Sequence, residues 1–182
     1  GLPTSSRAKE IRRVVMGHLE KSWRKPDEGI WEIRGEAQHF VQIKAFYWVA
    51  FDRASRAPSS TAPQRAHWKK VAREIHRDIC KLGVDKKLGC FVQAYGSRHM
   101  DASLLLLPLV GFLPPSDPRI KATVRQIEKR LLHKGLVQRY ETETGVDGLP
   151  PGEGAFLACS FWLADNYALM GRHQEAMRLF NR

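Results

Sequence analysis

The stretch that decides the fold is residues 38–54, QHFVQIKAFYWVAFDRA. Its apolar side chains leave almost no polar face, and a helix that is apolar all round is buried on all sides. The neighbouring segments differ, because residues 5–23 and 63–82 each carry one apolar stripe with charged residues opposite. Amphipathic helices of this kind cover a core. The pattern therefore predicts one buried helix lying between two surface helices.

The same alternation continues towards the carboxyl end. A nearly all-apolar helix is predicted from about Asp101, an amphipathic helix from Pro118, and a mostly apolar helix from about Gly154 to Met170. Alternation between inner and outer helices favours helical hairpins in two concentric layers, whereas a simple bundle asks for similar amphipathicity in every helix. The sequence has no fixed-period repeat. We expect an all-α fold, with a short extended piece at residues 90–95.

Charge and composition leave one alternative open. The 182 residues include 30 Lys and Arg and 19 Asp and Glu, a formal net charge of +11. Such a balance is found in nucleic-acid-binding proteins. However, the longest basic runs are pairs, such as Lys69-Lys70, and the rest alternate with acids. We therefore expect no nucleic acid as partner, and retain a basic nucleic-acid-binding helical module and a non-catalytic helical scaffold as alternatives.

The three cysteines are Cys80, Cys90 and Cys159, and they form no CxxC or Cys/His spacing. A zinc site is therefore not expected. Sparse, odd cysteines fit a reducing compartment, so we expect a cytoplasmic protein. The most apolar run, residues 104–113, is too short to span a bilayer and contains Pro108, so no membrane partner is expected.

The first of three unusual loops is residues 26–35, PDEGIWEIRG. It places three carboxylates, the Trp31 indole and the Arg34 guanidinium close together. Carboxylates and guanidinium groups hydrogen-bond sugar hydroxyls, and an aromatic face covers the apolar face of a sugar ring. The alternative is structural: Trp31 fills the core and the acids cap a helix start.

The second and third loops are residues 91–101, FVQAYGSRHMD, and residues 138–154, QRYETETGVDGLPPGEG. In the second loop, Asp101 is the expected N-cap of the helix that follows, and His99 is expected to be a surface or hydrogen-bonded residue. The third loop is long and runs directly into an apolar helix. Its Glu153 could act on a ligand or simply interact with the dipole of that helix.

Four separated blocks carry a family resemblance. They are residues 26–35 with 47–54 (YWVAFDRA), 91–97 (FVQAYGS), 101–115 (DASLLLLPLVGFLPP) and 135–165 (GLVQRYETETGVDGLPPGEGAFLACSFWLAD). In this order they resemble the catalytic domain of glycoside hydrolase family 15, and in particular its bacterial glucoamylase-like and trehalase-like members. The resemblance implies an (α/α)6 barrel, inverting hydrolysis of α-glucosidic bonds, a substrate that is an α-linked glucose oligosaccharide or disaccharide, and no cofactor or metal.

The resemblance also assigns residues. Glu32 falls on the general acid of the family, and Arg139 with Tyr140 falls on its substrate-binding stretch. The substrate-binding residues implied at the same mouth are Trp31, Arg34 and Glu153. Ile43 stands where family members more often have a small polar residue.

The blocks cover only part of a family member. We therefore expect residues 1–182 to be a single partial catalytic domain, with a β-rich N-terminal domain, the first barrel helices and the last one outside it. The general base is expected beyond Arg182. The isolated chain should then be nearly inactive. Its exposed apolar faces should need the rest of the barrel or self-association to cover them.

Overall fold

The computed structural model describes residues 5–33, 35–141 and 155–182. Within these ranges the chain forms helices α1 (Ser6–Ser22), α2 (Val41–Arg56), α3 (Ala62–Leu82), α4 (Leu106–Leu109), α5 (Pro118–Leu131), α6 (Leu157–Leu169) and α7 (His173–Phe180). A 3₁₀ helix, Ala102–Leu105, leads directly into α4. The strands are β1 (Val84–Asp85), β2 (Cys90–Phe91), β3 (Leu132–His133) and β4 (Leu136–Val137), which pair as two short antiparallel hairpins, β1 with β2 and β3 with β4. The all-α prediction is confirmed.

Helix α2 forms the centre of the molecule. Val41, Ala45 and Phe51 on it are at most 1% exposed. It packs along α3, whose Ile75 and Ile79 are fully buried. The prediction of a helix buried on almost every side is therefore confirmed, with Phe46 as an exception at 41% exposed.

Helix α3 begins and ends where the sequence predicts. The Thr61 hydroxyl accepts a hydrogen bond from the Gln64 amide, and the Gln64 side chain accepts one from the Thr61 amide, which is a capping box. At the other end, a Cβ on Gly83 would lie 2.8 Å from Val41 Cγ2 and 2.9 Å from the Ile79 carbonyl oxygen. The glycine is therefore required by the close approach of α2 to the end of α3.

The leucine-rich segment after Asp101 lies in the core. Leu104, Leu105 and Leu107 are each 1% exposed. The segment starts as a 3₁₀ helix rather than as the α-helix expected there. In chain order, the buried α2 and the buried leucine-rich segment alternate with α3 and α5, each of which buries one side and exposes the other. The alternation of inner and outer helices predicted from hydrophobic patterning is therefore present from α2 to α5.

Helix α6 packs into this core through Cys159, Leu163 and Tyr167, and one side-chain amide adds a hydrogen bond to it. The Asn166 side chain is fully buried and donates to the Leu105 carbonyl oxygen at 2.9 Å. The opposite side is less covered than the sequence suggests, because Phe161 is 40% exposed. Its ring lies 5.7 Å from the ring of Phe180 on α7, which is also exposed.

Helix α1 forms as predicted, with Ser5 as its N-cap, but its apolar stripe is only partly covered. Trp23 is 4% exposed, whereas Ile11 and Val15 are 56% and 46% exposed. The period of a stripe predicts the helix, and burial additionally requires a neighbour on that side. None of the helices in the described part of the chain combines the length and the apolar character needed to cross a membrane.

The buried position of Phe51 gives a stability prediction. In the protein comprising residues 1–182, Phe51→Ala should lower the free energy of unfolding by about 3–5 kcal/mol, because it removes a fully buried ring and leaves a cavity. Phe46→Ala on the same helix should cost about 1 kcal/mol or less. Urea unfolding measures both changes, and equal losses would contradict the burial pattern of α2.

Burial of His76 gives a pH prediction. Its ring lies 4.6 Å from that of Phe112 and 6.2 Å from that of Trp48, and burial lowers its pKa from 6.5. As pH falls below 6.5, the unfolded chain binds a proton that the native state resists, so stability is lost towards lower pH. His76→Phe keeps the aromatic contact and removes the titration. The free energy of unfolding should then fall less between pH 6.5 and about 5. An unchanged slope would refute this assignment.

Candidate active site

Backbone pairing brings the three loops together. Phe40, just after the first loop, pairs antiparallel with Ala94 of the second. Asp101, at the end of the second loop, pairs with Tyr140 of the third. Backbone pairing therefore joins the described parts of the three loops to one another.

The first loop is closed at its base by Asp27. Its amide and carbonyl exchange hydrogen bonds of 2.7 and 2.8 Å with Gln38. Its carboxylate accepts from the Gly29 amide at 3.0 Å and from Lys44 Nζ at 3.1 Å. The Lys44 side chain is 2% exposed, and burial lowers its pKa although the Asp27 carboxylate opposes that shift. Lys44 also donates to the Lys25 carbonyl oxygen, so a buried cation holds the base of the loop.

Trp31 lies at the centre of the site. Its indole Nε1 donates to both carboxylate oxygens of Asp101, at 3.1 and 3.0 Å. Aromatic rings surround its own ring, with centroids at 5.8 Å for Phe156, 6.2 Å for Trp162 and 6.3 Å for Tyr140. The indole is therefore fixed by a directional bond at one edge and by apolar contacts around it.

Asp101 is 2% exposed and accepts hydrogen bonds from several elements. Oδ1 caps the 3₁₀ helix by accepting from the Ser103 amide at 2.8 Å, and Oδ2 accepts from Gln93 Nε2 at 3.1 Å. Burial raises the pKa of this carboxyl, while the donors from Ser103, Trp31 and Gln93 oppose that shift. A buried carboxylate without such donors would be strongly disfavoured.

Glu32 is exposed and has a φ of +49°, in the left-handed region that favours glycine. Its amide donates to the Gly29 carbonyl oxygen at 3.3 Å, and the next amide, that of Ile33, donates to the Glu28 carbonyl oxygen at 3.0 Å. Ile33 itself is 4% exposed. Non-glycine residues are uncommon in this region and depend on their surroundings to hold them. Lys134, in the turn between β3 and β4, has the same φ of +49°.

Arg139 and Tyr140 contact Trp31 directly. The Arg139 guanidinium carbon lies 5.3 Å from the centre of the Trp31 ring and 5.4 Å from that of Tyr140. Tyr140 is only 2% exposed. The structure thus brings Trp31, Arg139 and Tyr140 of the predicted site together, and Glu32 directly follows Trp31 in the chain. Arg34 and Glu153 lie outside the described residues.

Glu141 ties the third loop to the second. Its carboxylate forms two hydrogen bonds with the Arg130 guanidinium, of 2.8 and 2.7 Å, and accepts from the Met100 amide at 3.1 Å. His99 Nδ1 lies 3.6 Å from the same carboxylate. Ile43, the predicted departure from the family pattern, packs behind the first loop against Ile33 and Phe40.

Sequence reasoning missed several partners of Trp31. Asp101 was expected only to cap a helix, and Trp162 only to fill an apolar helix. The two sides of the Trp31–Asp101 bond are separated by 70 residues, so no local pattern reports it. In residues 5–33, 35–141 and 155–182, no group of three or more His, Cys, Asp or Glu side chains could hold a metal ion.

Comparison with known proteins gives consistent matches. The sequence model of glycosyl hydrolases family 15 matches residues 1–182. The chain is 45% identical over 164 residues to a trehalase of Mycobacterium tuberculosis, covering 89% of this chain and 24% of that protein. It is 40% identical over 166 residues to a trehalase of Thermoplasma acidophilum, covering 89% of this chain and 28% of that protein. It therefore spans about a quarter of the length of these trehalases.

Solved structures agree with this assignment. A wild-type glycosidase superimposes with a TM-score of 0.80 at 25% identity, covering 93% of this chain and 44% of that one. A glycosidase variant in complex with glucose gives the same values. These matches confirm the fold class, a partial (α/α)6 barrel. On the combined evidence of its helical layers, its sequence and its structural neighbours, this chain belongs to glycoside hydrolase family 15.

Proposed function

We propose that the protein containing this chain hydrolyses an α-glucosidic bond, that trehalose is its substrate, and that Glu32 is the general acid. The observation that carries the assignment of Glu32 is its position directly after Trp31. It is an exposed carboxylate at a φ of +49°, next to an indole that a buried aspartate fixes. Family membership supplies the reaction class.

Inverting hydrolysis needs two carboxyl groups about 6.5–9.5 Å apart, one to protonate the leaving oxygen and one to activate water on the opposite face of the sugar. Glu32 has the first role in this proposal. A sugar ring lying over it would exclude water from the proton transfer. The second carboxylate is proposed to come from outside residues 1–182.

The neighbouring groups suit a sugar. The Trp31 ring has an apolar face and the Arg139 guanidinium lies beside it, and guanidinium groups hydrogen-bond sugar hydroxyls. We assign Arg139, Arg34 and Glu153 to binding of the sugar hydroxyls. Tyr140 is buried and contacts both Trp31 and Arg139, so its proposed contribution is to hold these two side chains in place.

The relatives favour trehalose among α-glucosides, because the curated proteins at 45% and 40% identity are both named trehalases. The nucleic-acid-binding and scaffold alternatives gain no support from these matches. Self-association and the remaining barrel helices are the proposed cover for exposed apolar residues such as Phe161 and Phe180.

Replacing the proposed acid tests this function. In the full-length protein, Glu32→Gln should lower the rate of glucose release from trehalose by about 10²–10⁴-fold, since it removes the proton donor. Trehalose binding, measured by calorimetry, should persist. The control is Glu36→Gln, which changes an exposed glutamate just after the first loop and should keep the rate. A Glu32→Gln enzyme with an unchanged rate would refute the assignment.

Arg139 gives a separate binding test. Arg139→Lys keeps the charge but loses the planar guanidinium that lies over Trp31 and Tyr140. The KM for trehalose should rise about tenfold, equivalent to about 1.4 kcal/mol of binding, with a smaller change in kcat. Arg125→Lys, on the exposed side of α5, is the matched control. Equal KM values for both variants and the unmodified enzyme would argue against a role in binding.

A further inference from the structure

We propose that Asp101 is a positioning residue of this active site, which fixes the Trp31 indole and thereby the backbone that presents Glu32. The proposal rests on the proposed function of Glu32. It assigns to a buried carboxylate, which has no part in the chemistry itself, the task of placing the proton donor.

Helix capping does not account for Asp101. A cap needs one acceptor oxygen, and Ser, Thr or Asn supplies it equally well. Here Oδ1 caps the 3₁₀ helix through the Ser103 amide at 2.8 Å. The second oxygen, Oδ2, accepts from Trp31 Nε1 at 3.0 Å and from Gln93 Nε2 at 3.1 Å. A side chain with two acceptor oxygens is needed to receive all these donors at once.

Burial makes this arrangement selective for one position of the indole. Asp101 is 2% exposed, so a donor that moves away is not replaced by bulk water. An unsatisfied buried acceptor is costly, and hydrogen bonds to an ionised group are stronger than neutral ones. The aromatic contacts of Trp31 with Phe156 and Trp162 are less directional than this bond. The hydrogen bond therefore sets the orientation of the ring.

The position of the ring is transmitted to Glu32 through one peptide unit. Trp31 precedes Glu32 directly, and Ile33 on the other side is 4% exposed and held by its bond to the Glu28 carbonyl oxygen. The left-handed conformation of Glu32 persists only while both neighbours are fixed. Loss of the hydrogen bond to Asp101 releases Trp31. The carboxyl group of Glu32 then shifts relative to the glycosidic oxygen.

This role predicts a selective defect. In trehalose hydrolysis, the bond between C1 and the glycosidic oxygen breaks, and that oxygen takes its proton from Glu32. In α-glucosyl fluoride, the C1–F bond breaks and fluoride leaves as an anion without that proton. In both reactions water supplies the hydroxyl group at C1, and the second carboxylate of the proposed function takes the proton that this water loses. A misplaced acid should therefore slow the first reaction and spare the second.

The test is Asp101→Asn in the full-length protein, with both substrates. This variant keeps the size of the side chain and the oxygen that caps the helix, which also lies 3.1 Å from Trp31 Nε1. It replaces the other oxygen by an amino group, which donates and therefore opposes the donors of Trp31 and Gln93. Its kcat for trehalose should fall about 100-fold, the cost of misplacing a catalytic group by about 1 Å, with little change in KM. Its rate on α-glucosyl fluoride should stay within about threefold of the unmodified enzyme. The matched control is Asp117→Asn, which changes the N-cap of α5 and should leave both rates near normal.

A second variant covers the case in which Asp101→Asn does not fold, as judged by circular dichroism. Trp31→Phe keeps a ring and removes the indole N–H, and it should show the same selective loss on trehalose. Adding Asp101→Asn to it should lower the rate by less than about threefold more, since the two groups act through one bond. Equal losses on both substrates in either variant, or fully multiplicative losses in the double variant, would overturn the proposal.

The two proposals fail in different ways. If Glu32→Gln loses no rate on trehalose relative to α-glucosyl fluoride, then Glu32 is not the acid and the proposed function fails. If Glu32→Gln shows that loss and Asp101→Asn keeps its rate on trehalose, then the acid stands and only the positioning role of Asp101 is refuted.

Discussion

The buried carboxylate of Asp101 is the interaction on which the arrangement of the site depends. Asp101 lies at the end of the second loop and accepts a hydrogen bond from the indole N–H of Trp31 in the first loop. Its backbone pairs with Tyr140 of the third loop. Loops that leave a helical core carry backbone and side-chain polar groups that need partners. The two carboxylate oxygens of Asp101 satisfy several of these groups in one place. The positions of the loops relative to one another therefore depend on this side chain.

A rigid core carries this junction. The first loop returns to α2, whose Lys44 holds the loop base through Asp27 and the Lys25 carbonyl oxygen. Breaking a buried ion pair on one side is costly, because the remaining charge stays without its partner. The second loop is joined to the core by Leu104 and Leu105 directly after its end. Site residues on loops thus inherit the rigidity of the helices beneath them.

The sequence predicted the helices whose positions depend only on residues close together in the chain. The all-apolar α2, the amphipathic α3 and the proline start of α5 at Pro118 each follow from a few neighbouring residues. Composition also identified the three loops. Burial of Tyr140, exposure of Ile11 and the bond between Trp31 and Asp101 depend on elements far away in the chain, so no local pattern could predict them.

The conformation of Glu32 connects the stability of the fold to the proposed chemistry. A left-handed backbone at a residue with a Cβ is unfavourable by roughly 1–2 kcal/mol, and neighbouring contacts must offset that cost. Here the offset comes from the buried Ile33 on one side and the hydrogen-bonded Trp31 on the other. Glycine at this position would remove the strain, but it would also remove the carboxyl group. The proposed function accounts for this strain, because it requires a carboxyl group at this turn.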